Sequence, residues 1–468
     1  MDVTLEKQMK LKEVIGYSLG LFGFQAIVGY LNSYQAEFYG ASMGADLAVI
    51  GVLLLVVKVL SAVFDPIVGN LIERKNNKRG KLKPFILYSL FPLAAMTIVI
   101  FIEVPFRGIP LYVYIFFTFL LWSLAMTLGG VPSQGIASVL TPNPTERTNV
   151  VSIANTLKSV GFAAAYVVVP VACIIMPDGS QVFGYEGAKD TPISSKEYLL
   201  AAAIIGILGC AMFSLIVFWN KERVPYESQK MSFGDMFRAL RENKPFMMVI
   251  ISYFLGFGRQ MAMGIQIQAA NALLGGQNLI VVLGITTAIG SVISMAITPV
   301  LIKKLGERNV FIGMSLYGFV ISMITFFVGI ENKWLMFPCL FLIGLQFGAV
   351  TLMPMIMTAD CVDWYELKTG KRTEGTAYAV LSLTIKVCLA MGTALGLVIV
   401  QLSGYSVDAY TGVTVLGDNT QTIIYFAYTA LPGIFSLLAA LPMFKYDIVG
   451  QKKLDIARQL QEKRKSRV

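Results

Sequence analysis

The feature that most constrains this chain is a series of long apolar runs bounded by charged or turn residues. Each run is about 20 residues or longer, which is the length an α-helix needs to cross the hydrocarbon core of a bilayer. Only 14% of the residues are charged, against about 25% in an ordinary soluble domain. The pattern predicts an all-α membrane protein with twelve transmembrane helices, near residues 16–39, 47–71, 84–104, 109–140, 150–177, 198–220, 246–270, 277–302, 309–330, 334–358, 374–403 and 420–444.

Basic residues predict the orientation, because short loops rich in Lys and Arg stay on the cytoplasmic side. With both termini inside, the inner segments hold 30 of the 38 Lys and Arg residues, the outer loops hold four, and four lie within spans. The sequence therefore predicts a multi-pass protein of a bacterial-type cytoplasmic (inner) membrane with both termini in the cytoplasm. Its net charge of +10 then faces anionic membrane lipid, and no nucleic-acid partner is needed to explain it.

The longest inner connection divides the spans into two sets of six. We predict an N-terminal six-helix bundle over residues 1–220, a cytoplasmic linker over 221–245, a C-terminal six-helix bundle over 246–446 and a basic cytoplasmic tail over 447–468. Two pseudo-symmetric bundles that face a central cavity are the general plan of secondary transporters.

Several chemistries are excluded by what the sequence lacks. The chain has no histidine, the commonest proton shuttle and metal ligand. Its five cysteines occur singly, so no zinc site or disulfide framework is indicated. We expect no enzyme activity, no metal and no cofactor.

Charged residues inside the spans are the first candidates for function, because each costs roughly 2.5 to 3.5 kcal/mol near the bilayer centre. Lys58, Arg259 and Lys386 lie near mid-membrane, Lys158 lies shallower, and Asp65 is the one carboxylate well inside a span. The excess of three positive charges predicts an anionic substrate that completes the balance. A buried ion-pair network that pins helices together is the alternative, and Lys158 could instead reach the inner interface.

Uncharged polar residues within spans suit sugar hydroxyls, although contacts between helices use the same residue types. Two acids, Glu37 and Glu103, are expected to be solvated at outer helix ends. The polar candidates for substrate binding are Gln25, Gln134, Asn155 and Gln266, with Asn32, Thr127 and Gln268 as further polar positions.

Two motifs resemble those of a known family. The first joins the second and third spans, over 65–74 (DPIVGNLIER) and 78–84 (KRGKLKP); the second follows the tenth span, over 360–375 (DCVDWYELKTGKRTEG). Together with 17–20 (YSLG), 143–147 (NPTER) and Lys386, they resemble the glycoside-pentoside-hexuronide:cation symporters, the melibiose permease group of the major facilitator superfamily. The resemblance spans both halves of the chain.

The resemblance implies the major facilitator fold and an alternating-access carrier that takes up glycosides with a proton or a sodium ion. By motif position, Asp65 matches an acid linked to cation coupling. Lys58 matches a basic residue at the sugar site, and Lys386 matches a lysine tied to both functions.

The departures from the family pattern shift these expectations. Ser61 stands where family members often carry a second acid, which leaves a poor set of ligands for sodium, since hard cations favour several oxygens with carboxylates among them. We therefore favour proton coupling through Asp65 with Ser61 beside it on the same helix face, and sodium stays open. Arg259 and Lys158 add positive charge, which points to an acidic sugar whose carboxylate a guanidinium can bind in bidentate fashion.

Opposite charges at the inner ends of the two bundles suggest a cytoplasmic gate that closes in one state and opens in the other. Static bridges that anchor loops are the alternative. The gate candidates are Arg74, Arg147, Asp360, Asp363, Glu366 and Arg372.

The sequence as a whole predicts a secondary active transporter that imports an anionic uronide or hexuronide-containing glycoside with a proton. The alternative is a symporter for neutral glycosides or pentosides, for which sodium coupling stays open. The expected partners are a small sugar or glycoside, a coupling cation and membrane lipid, and a monomer is favoured. A transporter-shaped sensor would bind ligand without flux.

Overall fold

A computed structural model describes residues 9–74, 82–141, 144–175, 194–223, 241–275, 280–329, 332–370, 374–407 and 414–465. The first six long helices are α1 (Leu11–Ala41), α2 (Leu47–Arg74), α3 (Lys83–Ile100), α4 (Ile109–Leu140), α5 (Pro144–Ile175) and α6 (Ser195–Trp219). After α7 (Lys244–Leu255) and a run of short turns come α8 (Ile280–Leu305), α9 (Glu307–Val328), α10 (Lys333–Thr369), α11 (Glu374–Leu402), α12 (Thr420–Tyr428), α13 (Ala430–Met443) and α14 (Gly450–Lys465). A two-residue antiparallel pair, β1 (Ser406–Val407) with β2 (Thr414–Val415), follows α11.

The helices match the predicted spans. Within the described residues, eleven are long and apolar enough to cross a membrane, with α12 and α13 counted as one. The bent pair Lys244–Leu255 and Phe257–Gly264, with an angle of 46° between its parts, supplies a twelfth when it is counted as one span. The chain is a multi-span membrane protein.

The tenth helix is longer than predicted. No Gly or Pro occurs between residues 355 and 369, so α10 continues to Thr369 and ends at Gly370, whose φ of 72° is the left-handed conformation that commonly terminates helices. Asp360, Asp363 and Glu366 are therefore helical, and the expectation that they lie in a connection between spans is wrong.

The twelfth span is divided at Thr429 between α12 and α13. Pro432 lacks the N–H that would donate to the carbonyl of Tyr428, four residues earlier, and so interrupts the helical ladder. Both the hydroxyl and the backbone N–H of Thr429 donate to the carbonyl of Tyr425, at 2.6 and 2.9 Å. The basic tail, for which the sequence predicts no secondary structure, forms the helix α14 over residues 450–465.

Close helix packing depends on glycine at two crossings. A Cβ on Gly161 of α5 would lie 2.3 Å from the carbonyl oxygen of Phe22 in α1. A Cβ on Gly392 of α11 would lie 2.7 Å from the carbonyl oxygen of Phe257 in the seventh span. Small residues that let backbones approach are typical of helix contacts in membranes.

The chain divides into two compact units by its internal contacts. Unit 1 comprises Met1–Ser228, Ile265–Gly284 and Leu397–Gln421, and unit 2 comprises Gln229–Gly264, Ile285–Gly396 and Thr422–Val468. The sequence predicts that the second half of the chain forms one bundle. By internal contacts, two of its segments, Ile265–Gly284 and Leu397–Gln421, group with unit 1 instead. The bundle boundaries at the linker stay a prediction.

Unit 2 includes the docked tail helix. Ile456 and Leu460 of α14 are buried in the same apolar cluster as Phe246, Phe311 and Tyr446. Lys453 of α14 forms ion pairs with Asp360, at 2.8 Å, and with Glu307. Helix α14 thus packs on the rest of unit 2 through apolar contacts and through the ion pairs of Lys453.

Candidate functional site

The seventh span is broken in its middle. Helix α7 ends at Leu255, a 3-10 turn covers Phe257–Gln260, and short helical pieces cover Met261–Gly264 and Gln266–Ala269 before a π turn at Ala270–Leu274. Glycine weakens a helix because it has the largest backbone freedom to lose, and three glycines, Gly256, Gly258 and Gly264, fall in nine residues here. Discontinuous helices of this kind form binding sites in many transporters.

Arg259 lies in the 3-10 turn and is the best-defined candidate for anion binding. Its side chain is buried, with 6% of its surface exposed. The Nε donates to the carbonyl oxygen of Gly256 at 3.1 Å, and the guanidinium carbon lies 5.8 Å from the ring centre of Tyr253. Its Nη1 is buried without a hydrogen-bond partner in the described part of the chain. A buried guanidinium with donor capacity to spare is suited to a carboxylate ligand.

Lys58 is a predicted basic residue of the substrate site, and it lies in unit 1. It is half-buried on α2, and its Nζ donates to Asn32 Oδ1 of α1 at 3.1 Å. Asn32 is itself oriented, since its Nδ2 donates to the carbonyl of Val28 at 3.0 Å. One turn along α2, the hydroxyl of Ser61 donates to the Lys58 carbonyl at 2.9 Å, and Asp65 follows, half-buried.

The predicted charge balance needs one correction. Among the described residues, no ion pair includes Lys58, Lys158 or Arg259. The expectation that Glu37 is solvated is wrong, because it is 1% exposed, whereas Glu103 is exposed and accepts from the hydroxyl of Ser195. A second buried carboxylate lowers the formal excess from three positive charges to two, which is still a cost of roughly 5 to 7 kcal/mol on insertion scales.

The other predicted substrate residues are distributed over both units, and their roles stay predictions. Gln25 and Lys158 are half-buried, Gln134 and Asn155 are exposed, and Gln266 is buried, all in unit 1. Lys386 is half-buried in α11, in the part that belongs to unit 2.

The structure describes the side chains of only three of the six predicted gate residues. Arg74 and Arg147 lie in α2 and α5, but their side chains fall outside the described part of the structure, as does Arg372 entirely. Asp360 is bonded to Lys453 within unit 2, and Asp363 and Glu366 are half-buried on the same helix. The gate stays a prediction.

The sequence did not single out a buried polar group around Glu37. Gln268, Asn271 and Tyr405 all donate to its carboxylate. The available signal was the spacing of Gln268 and Asn271, which puts two amides three residues apart at the end of the seventh span.

Comparison with known proteins identifies the family. The model of the MFS/sugar transport protein family matches residues 16–450. The chain belongs to this family. The resemblance to the glycoside-pentoside-hexuronide:cation symporters is thereby confirmed, and the protein is a membrane transporter of the sugar symporter type and not an enzyme.

Individual relatives cover nearly the whole chain. The uncharacterized symporter YnaJ of Bacillus subtilis strain 168 is 23% identical over 467 residues, covering 98% of this chain and 96% of the relative. The glucuronide carrier protein homolog of Escherichia coli K12 is 24% identical over 469 residues, covering 98% of each. The crystal structure of the nucleoside transporter NupG superposes with a TM-score of 0.65 at 15% identity, over 94% of this chain and all of that one. The major facilitator fold is thus the fold of this chain.

Proposed function

We propose that this transporter imports an anionic sugar derivative, a uronide or a hexuronide-containing glycoside, together with a proton. It works by alternating access in a bacterial-type inner membrane, with both termini in the cytoplasm. The orientation follows from the strong excess of basic residues in the segments assigned to the inner side.

The observation that carries the proposal is the state of Arg259. A guanidinium keeps its charge even when it is buried, and this one sits at a helix break with a buried Nη1 that no described residue satisfies. An unsatisfied buried donor is costly unless a ligand supplies the acceptor. A sugar carboxylate supplies both the acceptor and the missing negative charge.

The relatives support the acidic class. One of them is described as a glucuronide carrier protein homolog, and a glucuronide carries a carboxylate on its sugar ring. The alternative is a neutral glycoside or pentoside, for which Arg259 would have a structural role only.

Two matched probes separate these substrates. Uptake of a radiolabelled glucuronide is measured in right-side-out vesicles with 4-nitrophenyl β-D-glucuronide or 4-nitrophenyl β-D-glucoside as competitor. The two competitors differ only at carbon 6, where one has a carboxylate. We expect the glucuronide to compete at least tenfold better in the wild type, because a hydrogen bond to a charged group contributes about 1.5 to 3 kcal/mol.

Variants then assign the difference to a residue. Arg259→Gln is expected to abolish the preference for the acidic competitor, while Arg241→Gln, which changes an exposed arginine, leaves it intact. Equal competition by both probes in the wild type would contradict the acidic substrate and favour the neutral alternative. A preference that survives Arg259→Gln would show that another group recognises the carboxylate.

The proton is the second part of the proposal. Asp65 is half-buried one turn beyond Ser61 on the helix face that carries Lys58. We expect uptake to stop when a protonophore collapses the proton gradient and to persist when sodium is replaced by choline. Asp65→Asn should abolish accumulation yet retain exchange of labelled for unlabelled substrate. Uptake that requires sodium would refute proton coupling.

A further inference from the structure

A carboxylate near the end of α1 holds together three separated parts of the chain. Glu37 lies four residues before the end of the helix. Its Oε2 accepts from Gln268 Nε2 at 2.9 Å, and its Oε1 accepts from Asn271 Nδ2 at 2.8 Å and from the hydroxyl of Tyr405 at 3.0 Å. Asn271 also donates to the Tyr405 hydroxyl, at 2.9 Å. These four residues are called the Glu37 cluster, and each is buried.

The donors of the Glu37 cluster come from the second half of the sequence. Gln268 and Asn271 belong to the end of the seventh span, and Tyr405 follows α11 directly. Both donor segments nevertheless pack within unit 1, while the preceding parts of the same spans pack within unit 2. The division falls after Gly264 in the seventh span and after Gly396 in α11.

A second polar contact lies at the same end of unit 1. The backbone N–H of Leu47, the first residue of α2, donates to Gln401 Oε1 near the end of α11, at 3.1 Å. The first N–H groups of a helix have no partner within the helix, so a side chain from another span completes the start of α2. Polar bonds thus fasten the ends of the seventh span and of α11 to α1 and α2.

Hydrogen bonds of this kind are suited to a contact that must open. When such a bond breaks, water can replace each partner, so the net cost is much smaller than the strength of the bond itself. A carboxylate gains further from opening because it is strongly hydrated, and it is stable in the buried state only while its donors stay in place. An apolar contact of the same size would lack this compensation.

We propose that the Glu37 cluster is the latch that closes the outer side of the transporter, and that Glu37 is a gating residue of the transport cycle. The inference rests on the proposed orientation and alternating access, in which α1 ends on the outer side. Admission of substrate from outside requires the donors on the seventh span and after α11 to leave Glu37. Re-formation of the three bonds closes the outer side again.

The test measures access and needs no substrate. Ala272, buried beside Asn271, is replaced by cysteine as a reporter, and right-side-out vesicles are treated with a membrane-impermeant maleimide. Glu37→Gln confronts the donors of the cluster with an NH2 group. We expect it to speed labelling at residue 272 by about tenfold or more, the factor that loss of one charge-assisted hydrogen bond predicts. Tyr405→Phe, which removes the bond donated to Glu37 and the bond accepted from Asn271, should speed it about threefold to tenfold or more.

The control acid is Glu103, which is exposed and outside the cluster. Glu103→Gln should leave the labelling rate unchanged. Equal rates in Glu37→Gln, Tyr405→Phe and the wild type would overturn the latch. The five native cysteines are all buried and report general unfolding when the labelled peptides are identified by mass spectrometry. Faster labelling at Cys361 and Cys388 together with residue 272 would show a loss of structure and would also overturn the latch.

This design separates the two proposals. If the acidic substrate is wrong, the competition assay fails while the labelling result stands. If the latch is wrong, labelling is unchanged while the competition assay keeps its preference for the glucuronide.

Discussion

Lys453 holds the tail helix α14 against the rest of unit 2, and its removal should release the helix. The substitution Lys453→Met keeps most of the aliphatic stem and removes the ammonium group. Asp360 and Glu307, whose side chains are 13% and 9% exposed, then lose a shared cation. Two partly buried carboxylates are left on one surface.

The magnitude follows from how deeply each partner lies. Removal of one member of a fully buried pair costs about 3 to 5 kcal/mol. The Lys453 side chain is 34% exposed, and solvent screens exposed ion pairs strongly, so a value of about 2 kcal/mol is more appropriate. Because about 1.4 kcal/mol is a factor of ten in an equilibrium constant, we expect the undocked population of α14 to rise about 30-fold.

Hydrogen–deuterium exchange of the α14 backbone amides in nanodiscs measures this opening directly. The matched control is Lys452→Met, one residue earlier, because Lys452 pairs with Asp447 and the two side chains are 45% and 57% exposed. That pair should contribute at most about 1 kcal/mol. Exchange in the Lys453→Met protein that is no faster than in the Lys452→Met protein would refute the reasoning.

Three further outcomes are expected. Gly161→Ala should destabilise the protein by about 1 to 3 kcal/mol, because the added Cβ clashes with α1. Gly313→Ala has open space around its Cβ and should stabilise the protein by about 0.5 to 1 kcal/mol. Thermal unfolding in detergent measures both changes. Asn32→Ala removes the hydrogen bond that orients Lys58 and should raise the KM for the acidic substrate about tenfold, and an unchanged KM would contradict a positioning role. Burial lowers the pKa of Lys453, but its bonds to two carboxylates outweigh burial and raise the pKa overall. The stability difference between wild type and Lys453→Met should therefore be constant from neutral pH, where both carboxylates are ionised, up to about pH 10.4. It should shrink as the pH rises through the raised value.

The spans could be predicted from the sequence because their cause is local. Twenty apolar residues need a lipid environment wherever they occur, and the predicted spans agree with the helices to within a few residues at most ends. The family could also be predicted, since the motifs at 65–84 and 360–375 are short and contiguous.

The extent of α10 and the tail helix are harder to predict because charged residues mark loops as well as helices that continue beyond the membrane. Asp360 and Asp363 read as the edge of a membrane span, yet charged residues continue a helix well when neither Gly nor Pro intervenes. Lys453, which binds Asp360, is 93 residues away in sequence, so nothing local reveals the pairing.

Glu37 illustrates the same limit in the Glu37 cluster. An acid four residues from a helix end is usually solvated, and only the fold shows that Gln268, Asn271 and Tyr405 cover it. Their separations from Glu37, from 231 to 368 residues, lie far beyond any periodic pattern. Arg259, by contrast, was identifiable because a charge in an apolar span is unusual wherever its partners lie.

The bond between Arg259 Nε and the Gly256 carbonyl links the proposed anion-binding side chain to the backbone where α7 ends. The side chain that we propose to bind the substrate anion through Nη1 thus adds a second bond to a carbonyl that already accepts from the backbone N–H of Arg259, at 3.1 Å. A lysine at this position would bring a positive charge without the planar fork that reaches both groups at once. Exchange of Arg259 for lysine would therefore change the proposed anion contact and this side-chain bond at the helix break at the same time.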